Sequence, residues 1–545
     1  MFARIKKSGN NQYLQIVENR WEGNKSVQRV IATLGRFDQM KTKGEIENLA
    51  RSLLRFSEKI ILVLSARDNP DVQAMAKKIG PAMIFERIWK ELGIGKIIRD
   101  LLKDRKFEFD VERAIFLTVL HRLFVSGSDR CCDQWRRDQR IEGIEDLSLH
   151  HLYRAMAFLG EELKDQKDRT PFTPRCTKDV IEENLFLANN TLFSSVDLFF
   201  FDTTSIYFEG NGGETLGKRG FSKDHRPDLN QMIVGTLIND EGRPVCCEIW
   251  PGNTADVKTL LPVADRLKKR FSVDLFCLVA DRGMISSETL QGLDERDIPY
   301  ILGSRMRKNT EIRNDVLLRG GRYKEIYPET KSGPSPLKVK EVWVDDRRYI
   351  VCLNEKQARK DAQDRQNIVA SLKEQLKKGP KALVGNKGYR RYLKVDSDYV
   401  AIDEAKIEEE SRYDGKWVLR TNTKLPAETV ALKYKELIQV EQVFRDMKSI
   451  FETRPVFHQT DETIRGHVFC SFFALVVRKE LESRMEKSGH SFEWNDIKQD
   501  LEALQEVTIT EQNKSLAVRT ECIGTCGKVF QAVGVAIPPT IREVS

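Results

Sequence analysis

The sequence predicts an α/β protein: a mixed-sheet core with a β-rich insertion, preceded by a mostly helical N-terminal region. Three observations predict it. Between 196 and 303, apolar runs and helical segments follow the order strand-strand-strand-helix-strand-helix-strand. Between 307 and 412, short strand-like runs alternate with charged linkers. Between 72 and 190, apolar residues recur at three and four, the helical period. At 545 residues and 40% hydrophobic, the chain is long enough for several domains and a large core, and its 33 Gly and 17 Pro exclude collagen-like and low-complexity classes.

Taken in order, 13–18 and 26–34 read as strands joined by a turn at 22–24, and 82–92 and 111–124 as helices. The stretch SGSDRCCDQWRRDQR gathers Arg130, Arg136, Arg137 and Arg140 around Trp135. It reads either as a phosphate contact or as a solvated helix face with a packed Trp. The bulky run 196–201 ends at Asp202, a Gly-rich loop fills 210–220, and 231–238 is a second strand. Asn239-Asp240-Glu241-Gly242 is a hairpin turn and 244–250 the returning strand. Pro251-Gly252-Asn253-Thr254 breaks the chain, with Asn253 or Thr254 capping a helix to about 270. The strand 274–280 ends at Asp281, a helix starts near 286, and 299–303 is a fifth strand.

The first three strands form a meander, so the third runs parallel to the first. A right-handed crossover makes the fourth parallel to both. With the fourth beside the first, Asp202 and Asp281 sit at the same end of neighbouring parallel strands, where open sheets present their chemistry. The insertion carries strands at 341–344 and 348–353, a loop at 332–336 and a polar helix at 355–378, and 307–340 is basic, with nine Lys/Arg against four Asp/Glu. A strand at 417–421 precedes a helical pattern that runs unbroken over 427–451.

On that last helix Tyr434, Glu441 and Lys448 are each seven apart, so all three share one face, and Arg445 follows Glu441 by four. A carboxylate flanked by cations suits a metal-bound phosphate. Two Asp at strand ends and one Glu on a helix packed across them supply three hard oxygen donors. That set fits Mg²⁺ or Mn²⁺, two ions about 3.5–4 Å apart that drive an in-line phosphodiester displacement. Each acid alone also has a plain reading. Asp202 caps the turn at Thr203 and Thr204, Asp281 starts a turn at Arg282-Gly283, and Glu441 pairs with Arg445 on a helix surface. The case rests on the three occurring together on this strand order.

FFFDTTSIYFEG at 199–210, GFSKDHRPDLNQ at 220–231, WPGNTADVKTLLPV at 250–263 and LVADRGMIS at 278–286 carry a resemblance, completed by YKELIQVEQVFRDMKS at 434–449 and RPVFHQTDETIRGHVFCSFFAL at 454–475. The chain resembles insertion-sequence transposases of the DDE type, in the group with a Tyr-Arg-Glu-Lys signature and a β-rich insertion. The resemblance implies an RNase H-like core, with Asp202, Asp281 and Glu441 as the acidic, metal-holding triad. Tyr434 and Lys448 match the signature as DNA contacts. The signature Arg falls at Leu437, and Arg445 is the expected replacement. Lys223, His225 and Arg226 match a basic loop near the cleft; a solvated loop is the other reading.

The resemblance further implies binding of the element's terminal inverted repeats and of target double-stranded DNA, metal-dependent cleavage and strand transfer, and a homodimer on DNA in a bacterial or archaeal cell, cytoplasmic and nucleoid-associated. Expected boundaries are a small module at 1–60, a helical DNA-binding and dimerisation region at 61–190, core at 191–306, insertion at 307–412, core at 413–485 and a C-terminal region at 486–545. The alternatives are a stand-alone RNase H-like nuclease, which needs neither the N-terminal region nor the insertion, and a catalytically silent DNA-binding descendant, which has no need of three carboxylates. An Asp-nucleophile phosphatase wants a second acid where Thr204 stands, and no GxxxxGK[ST] motif supports a helicase. No apolar run reaches a membrane span, no apolar stretch follows the first charges to make a secretory leader, and the ten cysteines form no framework. The cation surplus of 8 mildly favours a polyanionic partner.

Overall fold

The computed structural model describes residues 2–9, 11–22, 25–54, 73–164, 166, 174–189, 197–271, 273, 276–327, 336–378, 391–396, 399–511 and 514–544. The chain forms two compact units. One is Met1–Gly80 with Gln499–Gly527 and Ala536–Ser545, and the other is Pro81–Lys498 with Lys528–Val535.

The first unit holds a three-stranded antiparallel sheet of Phe2–Ser8, Asn11–Glu22 and Lys25–Arg36. The strands expected at 13–18 and 26–34 are its second and third; residues 23 and 24 of the expected turn lie outside the described residues. A four-stranded antiparallel sheet in the same unit pairs Gln73–Lys78 with Gln505–Glu511, then Lys514–Arg519, then Ile541–Val544.

The second unit is built on a nine-stranded sheet. Its strands in chain order are β1 Asp197–Tyr207, β2 Gln231–Asn239, β3 Pro244–Pro251, β4 Phe276–Ala280, β5 Tyr300–Gly303, β6 Lys324–Ile326, β7 Leu337–Val344, β8 Arg347–Leu353 and β9 Lys416–Thr421. The spatial order is β6-β7-β8-β9-β5-β4-β1-β2-β3. β1 pairs parallel with β4, and β4 parallel with β5; every other pair is antiparallel. The stretch β3-β2-β1-β4-β5 is the RNase H-like core. The β-rich insertion continues this sheet through β9, rather than forming a sheet of its own. Residues 196, 274, 275 and 332–335 of the expected elements lie outside the described residues.

Alternation along β1 explains its burial. Phe199 and Phe201 join Leu260, Val263, Leu267 and Phe271 of the helix Leu260–Phe271 in one apolar cluster. Each such buried Phe contributes about 2–3 kcal/mol. Two expected boundaries move. β1 does not stop at Asp202 but runs to Tyr207, because beyond Phe201 it keeps its antiparallel partner, Asp202↔Thr236 through Tyr207↔Gln231. The helix expected from 254 starts only at Leu260. Pro262 cannot sit four residues after a helical carbonyl, so Asp256–Lys258 forms a 3₁₀ turn instead, closed by the Thr259 hydroxyl on the Asp256 carbonyl at 2.7 Å.

The single helix expected over 427–451 is two, Ala427–Lys435 and Ile438–Ser449. The first buries Val430 and Ala431 against β7, β8, β5 and β4, while the second buries Val440, Val443, Phe444 and Met447 against β1 and β2. A straight rod could not reach both parts of a twisted sheet. On the same side the helix Asp461–Lys487 crosses Leu149–Gly160 closely. A Cβ on Gly466 would lie 1.9 Å from the Met156 carbonyl oxygen, and one on Gly160 1.9 Å from that of Glu462.

Candidate active site

The last parallel pair between β1 and β4 is Phe201↔Ala280, so Asp202 and Asp281 are the next residue on each strand. There the parallel ladder ends, and two carboxylates stand side by side. Asp281 leaves β4 in extended conformation and opens the 3₁₀ turn Arg282–Met284. The Tyr434 hydroxyl donates to Asp281 Oδ1 at 3.0 Å. Burial, and then the Asp281 charge, push the Tyr434 phenol well above its usual pKa, so it stays a donor. Gly303 at the end of β5 makes room for it: a Cβ there would lie 2.2 Å from the Tyr434 hydroxyl oxygen.

Asp202 Oδ1 accepts the Thr203 N–H at 2.7 Å, its one hydrogen bond among the described residues. Burial pushes its pKa up to about 6; Asp281 and Asp256 add to that, against the pull of Lys223 and of the Thr203 N–H. A half-buried carboxylate with spare lone pairs and acid neighbours is a site that a cation relieves. The donor set therefore fits a divalent metal.

Asp256 is a third carboxylate at this edge; the sequence pattern places it inside the expected helix. Its Oδ1 accepts the Thr203 hydroxyl at 2.7 Å, and its Oδ2 pairs with Lys223 Nζ at 3.1 Å. The available signal was topological: β3 runs parallel to β1, so the turn after β3 falls at the edge that carries Asp202 and Asp281.

The remaining expected residues separate. Lys223 Nζ also donates to Thr203 O at 2.7 Å and Thr203 Oγ1 at 2.8 Å, which places it beside the acids. His225, in left-handed conformation at φ 57°, is exposed, and exposed Arg226 pairs with Asp228 at 2.9 Å and lies over the Tyr207 ring. Glu441 and Arg445 are exposed on Ile438–Ser449, and Glu441 makes no hydrogen bond or ion pair among the described residues. Lys448, on the same helix, donates to Asp224 Oδ1 at 2.8 Å, and Arg454 pairs with that carboxylate too. The one face expected for Tyr434, Glu441 and Lys448 does not exist, because the break at 436–437 puts Tyr434 on a separate helix.

Two other groups bring metal-capable atoms together, the exposed Glu108, His150 and His151 and the buried Asp129, His458 and His467. Glu108 is taken by Arg154. His467 faces the Thr453 carbonyl at 3.2 Å through Nε2, while its Nδ1 faces the Arg122 guanidinium at 2.9 Å. A cation at Nδ1 would have to displace that Arg, so an arginine competes with a metal ion at each group.

Residues 195–477, just over half of the chain, match the family described as the transposase DDE domain. The chain is a DDE transposase. Residues 3–68 match the IS1634 family transposase N-terminal domain, which makes this an insertion-sequence transposase. As a member of its family the transposase is a metal-dependent enzyme that cleaves DNA and transfers strands. No curated protein matches the transposase. Among solved structures, it is similar to a piggyBac transposase synaptic complex with hairpin DNA, at 10% identity over 78% of this chain and 79% of that chain, TM-score 0.37. It is also similar to a Drosophila P element transposase strand transfer complex, at 10% identity over 73% and 86%, TM-score 0.21. Scores this low say nothing further of the transposase. No described helix is long and apolar enough to cross a membrane.

Proposed function

We propose that Asp202, Asp281 and Glu441 are the catalytic acids of this transposase, that they hold two Mg²⁺ or Mn²⁺ ions, and that a homodimer binds the element's terminal inverted repeats and a target duplex. The observation that carries this is the pair Asp202 and Asp281, adjacent at the end of the parallel ladder, with Asp202 held by one hydrogen bond. Bound metal would supply activation of a water or 3′-hydroxyl and neutralisation of the leaving oxygen. The chain's own residues do the rest. Tyr434 fixes one Asp281 oxygen and leaves the other open. Glu441, exposed on a helix packed against β1, would be the third residue to hold the metal. His225, Arg226 and Arg445, all exposed, meet phosphates. Lys448 has a different part: its ammonium holds the 223–226 loop through Asp224. The protein acts in the cytoplasm of a bacterial or archaeal cell, on the nucleoid, with the regions outside the core reading the repeats.

The test is cleavage of a duplex carrying the element's own ends, with Mg²⁺. Asp202→Asn and Asp281→Asn should each abolish cleavage and leave end binding nearly intact. Binding and folding lost together with cleavage would make these residues structural.

A further inference from the structure

Lys223 matches a basic loop that the resemblance assigns to DNA, yet its ammonium is engaged within the protein. A lysine has three N–H donors. Here two of them meet Thr203 O at 2.7 Å and Thr203 Oγ1 at 2.8 Å, and the ammonium forms an ion pair with Asp256 Oδ2 at 3.1 Å. The Thr203 hydroxyl spends its own proton on Asp256 Oδ1 at 2.7 Å, so both oxygens of Asp256 are engaged. The loop backbone is pinned as well, with the Lys223 N–H donating to Ser205 Oγ at 2.8 Å. The ring Lys223–Thr203–Asp256 therefore closes on itself one residue from Asp202. The Lys223 charge is the main pull that favours an ionised Asp202, yet Lys223 forms no hydrogen bond or ion pair with that carboxylate.

We propose that Asp256 is a positioning residue for the catalytic acids: it holds the Lys223 ammonium against Thr203, close to Asp202 but off its oxygens, so that those oxygens stay open to the metal. An ammonium released from Asp256 has one obvious alternative partner, Asp202, and would then compete with a divalent ion for the same lone pairs. Lys223 is thereby assigned to the acids, and the phosphate contacts of this loop fall to His225 and Arg226. The inference rests on Asp202 being a metal-holding acid.

The experiment is Mn²⁺ binding to the full-length protein without DNA, followed by the loss of free-Mn²⁺ electron paramagnetic resonance signal. Asp256→Asn should weaken binding by roughly tenfold or more, the cost typical of a partner behind a metal ligand. Adding Lys223→Gln should restore most of that loss, because the competing ammonium is gone. Thr203→Val, which removes the hydroxyl at the centre of the ring and keeps its shape, should weaken binding in the same direction, and it stands in if Asp256→Asn does not fold. Asp256→Asn binding Mn²⁺ like wild type, while Asp202→Asn binds weakly, overturns this inference and leaves the site assignment standing. A weak Asp256→Asn that Lys223→Gln does not rescue also overturns it, since Asp256 would then touch the metal itself. Asp202→Asn binding like wild type brings down both.

Discussion

Asp202 shows how a half-buried acid bears on stability. Its ordinary pKa in an unfolded chain is about 4. Burial raises it to about 6 in the fold. A raised acid stabilises the fold fully below the unfolded value, and that stability is lost as pH rises from about 4 through 6. At pH 7.5 the metal-free protein thus carries a cost on the order of 2 kcal/mol at this residue. Asp202→Asn should melt higher than wild type at pH 7.5 without metal, with the difference closing toward pH 4, as followed by thermal denaturation. Gly303 makes the second case. Gly303→Ala places a methyl 2.2 Å from the Tyr434 hydroxyl oxygen, so it and Tyr434→Phe should both lower cleavage while leaving DNA-end binding near wild type. Asp202, Asp281 and Tyr434 were all visible as residue types at telling positions. The Tyr434–Asp281 bond was not, because it depends on a β5 that ends in glycine beside the ladder. Asp256 was hidden by a helix that Pro262 forbids.

The helix Ile438–Ser449 separates two jobs that spacing alone had merged. Glu441 and Lys448 do share it, seven residues apart, but Lys448 looks inward to a nearly buried Asp224. Lys448→Ala leaves Asp224 to Arg454 alone, and its Oδ2 already lacks a partner. Chemical denaturation should report a loss of about 1–3 kcal/mol, below the full cost of breaking a buried pair because Arg454 remains. Arg445→Ala should leave stability unchanged and reduce the salt slope of DNA-end binding by about 1. No Gly or Pro stands between Ala427 and Ser449. Nothing local therefore announces the break at 436–437, which follows from the two helices lying on different strands. The break after Pro251 and the helix start near 286, by contrast, were legible because Pro, Gly and Ser act locally; the structure adds that Ser286 caps Ser287–Asp294.

Across the whole chain, the strand order could be read because it needs only the meander and the handedness of one crossover. The pairing of Gln505–Glu511 with Gln73–Lys78 could not, since strands so distant in sequence carry no mutual signal. Nor could the continuity of the insertion with the core sheet, which depends on β9 arriving beside β5 from beyond it. The proposed chemistry requires divalent metal at the strand-end acids. Fe²⁺ with ascorbate, in place of Mg²⁺, cuts a protein backbone close to wherever the ion is held, so it reads the site without reference to activity. Fragments should end near 202 and 281, and near 441 once DNA ends are bound, all suppressed by excess Mg²⁺ and by Asp202→Asn. Cuts confined to 129, 458 and 467, with none near 202 and 281, would contradict that placement of the metal.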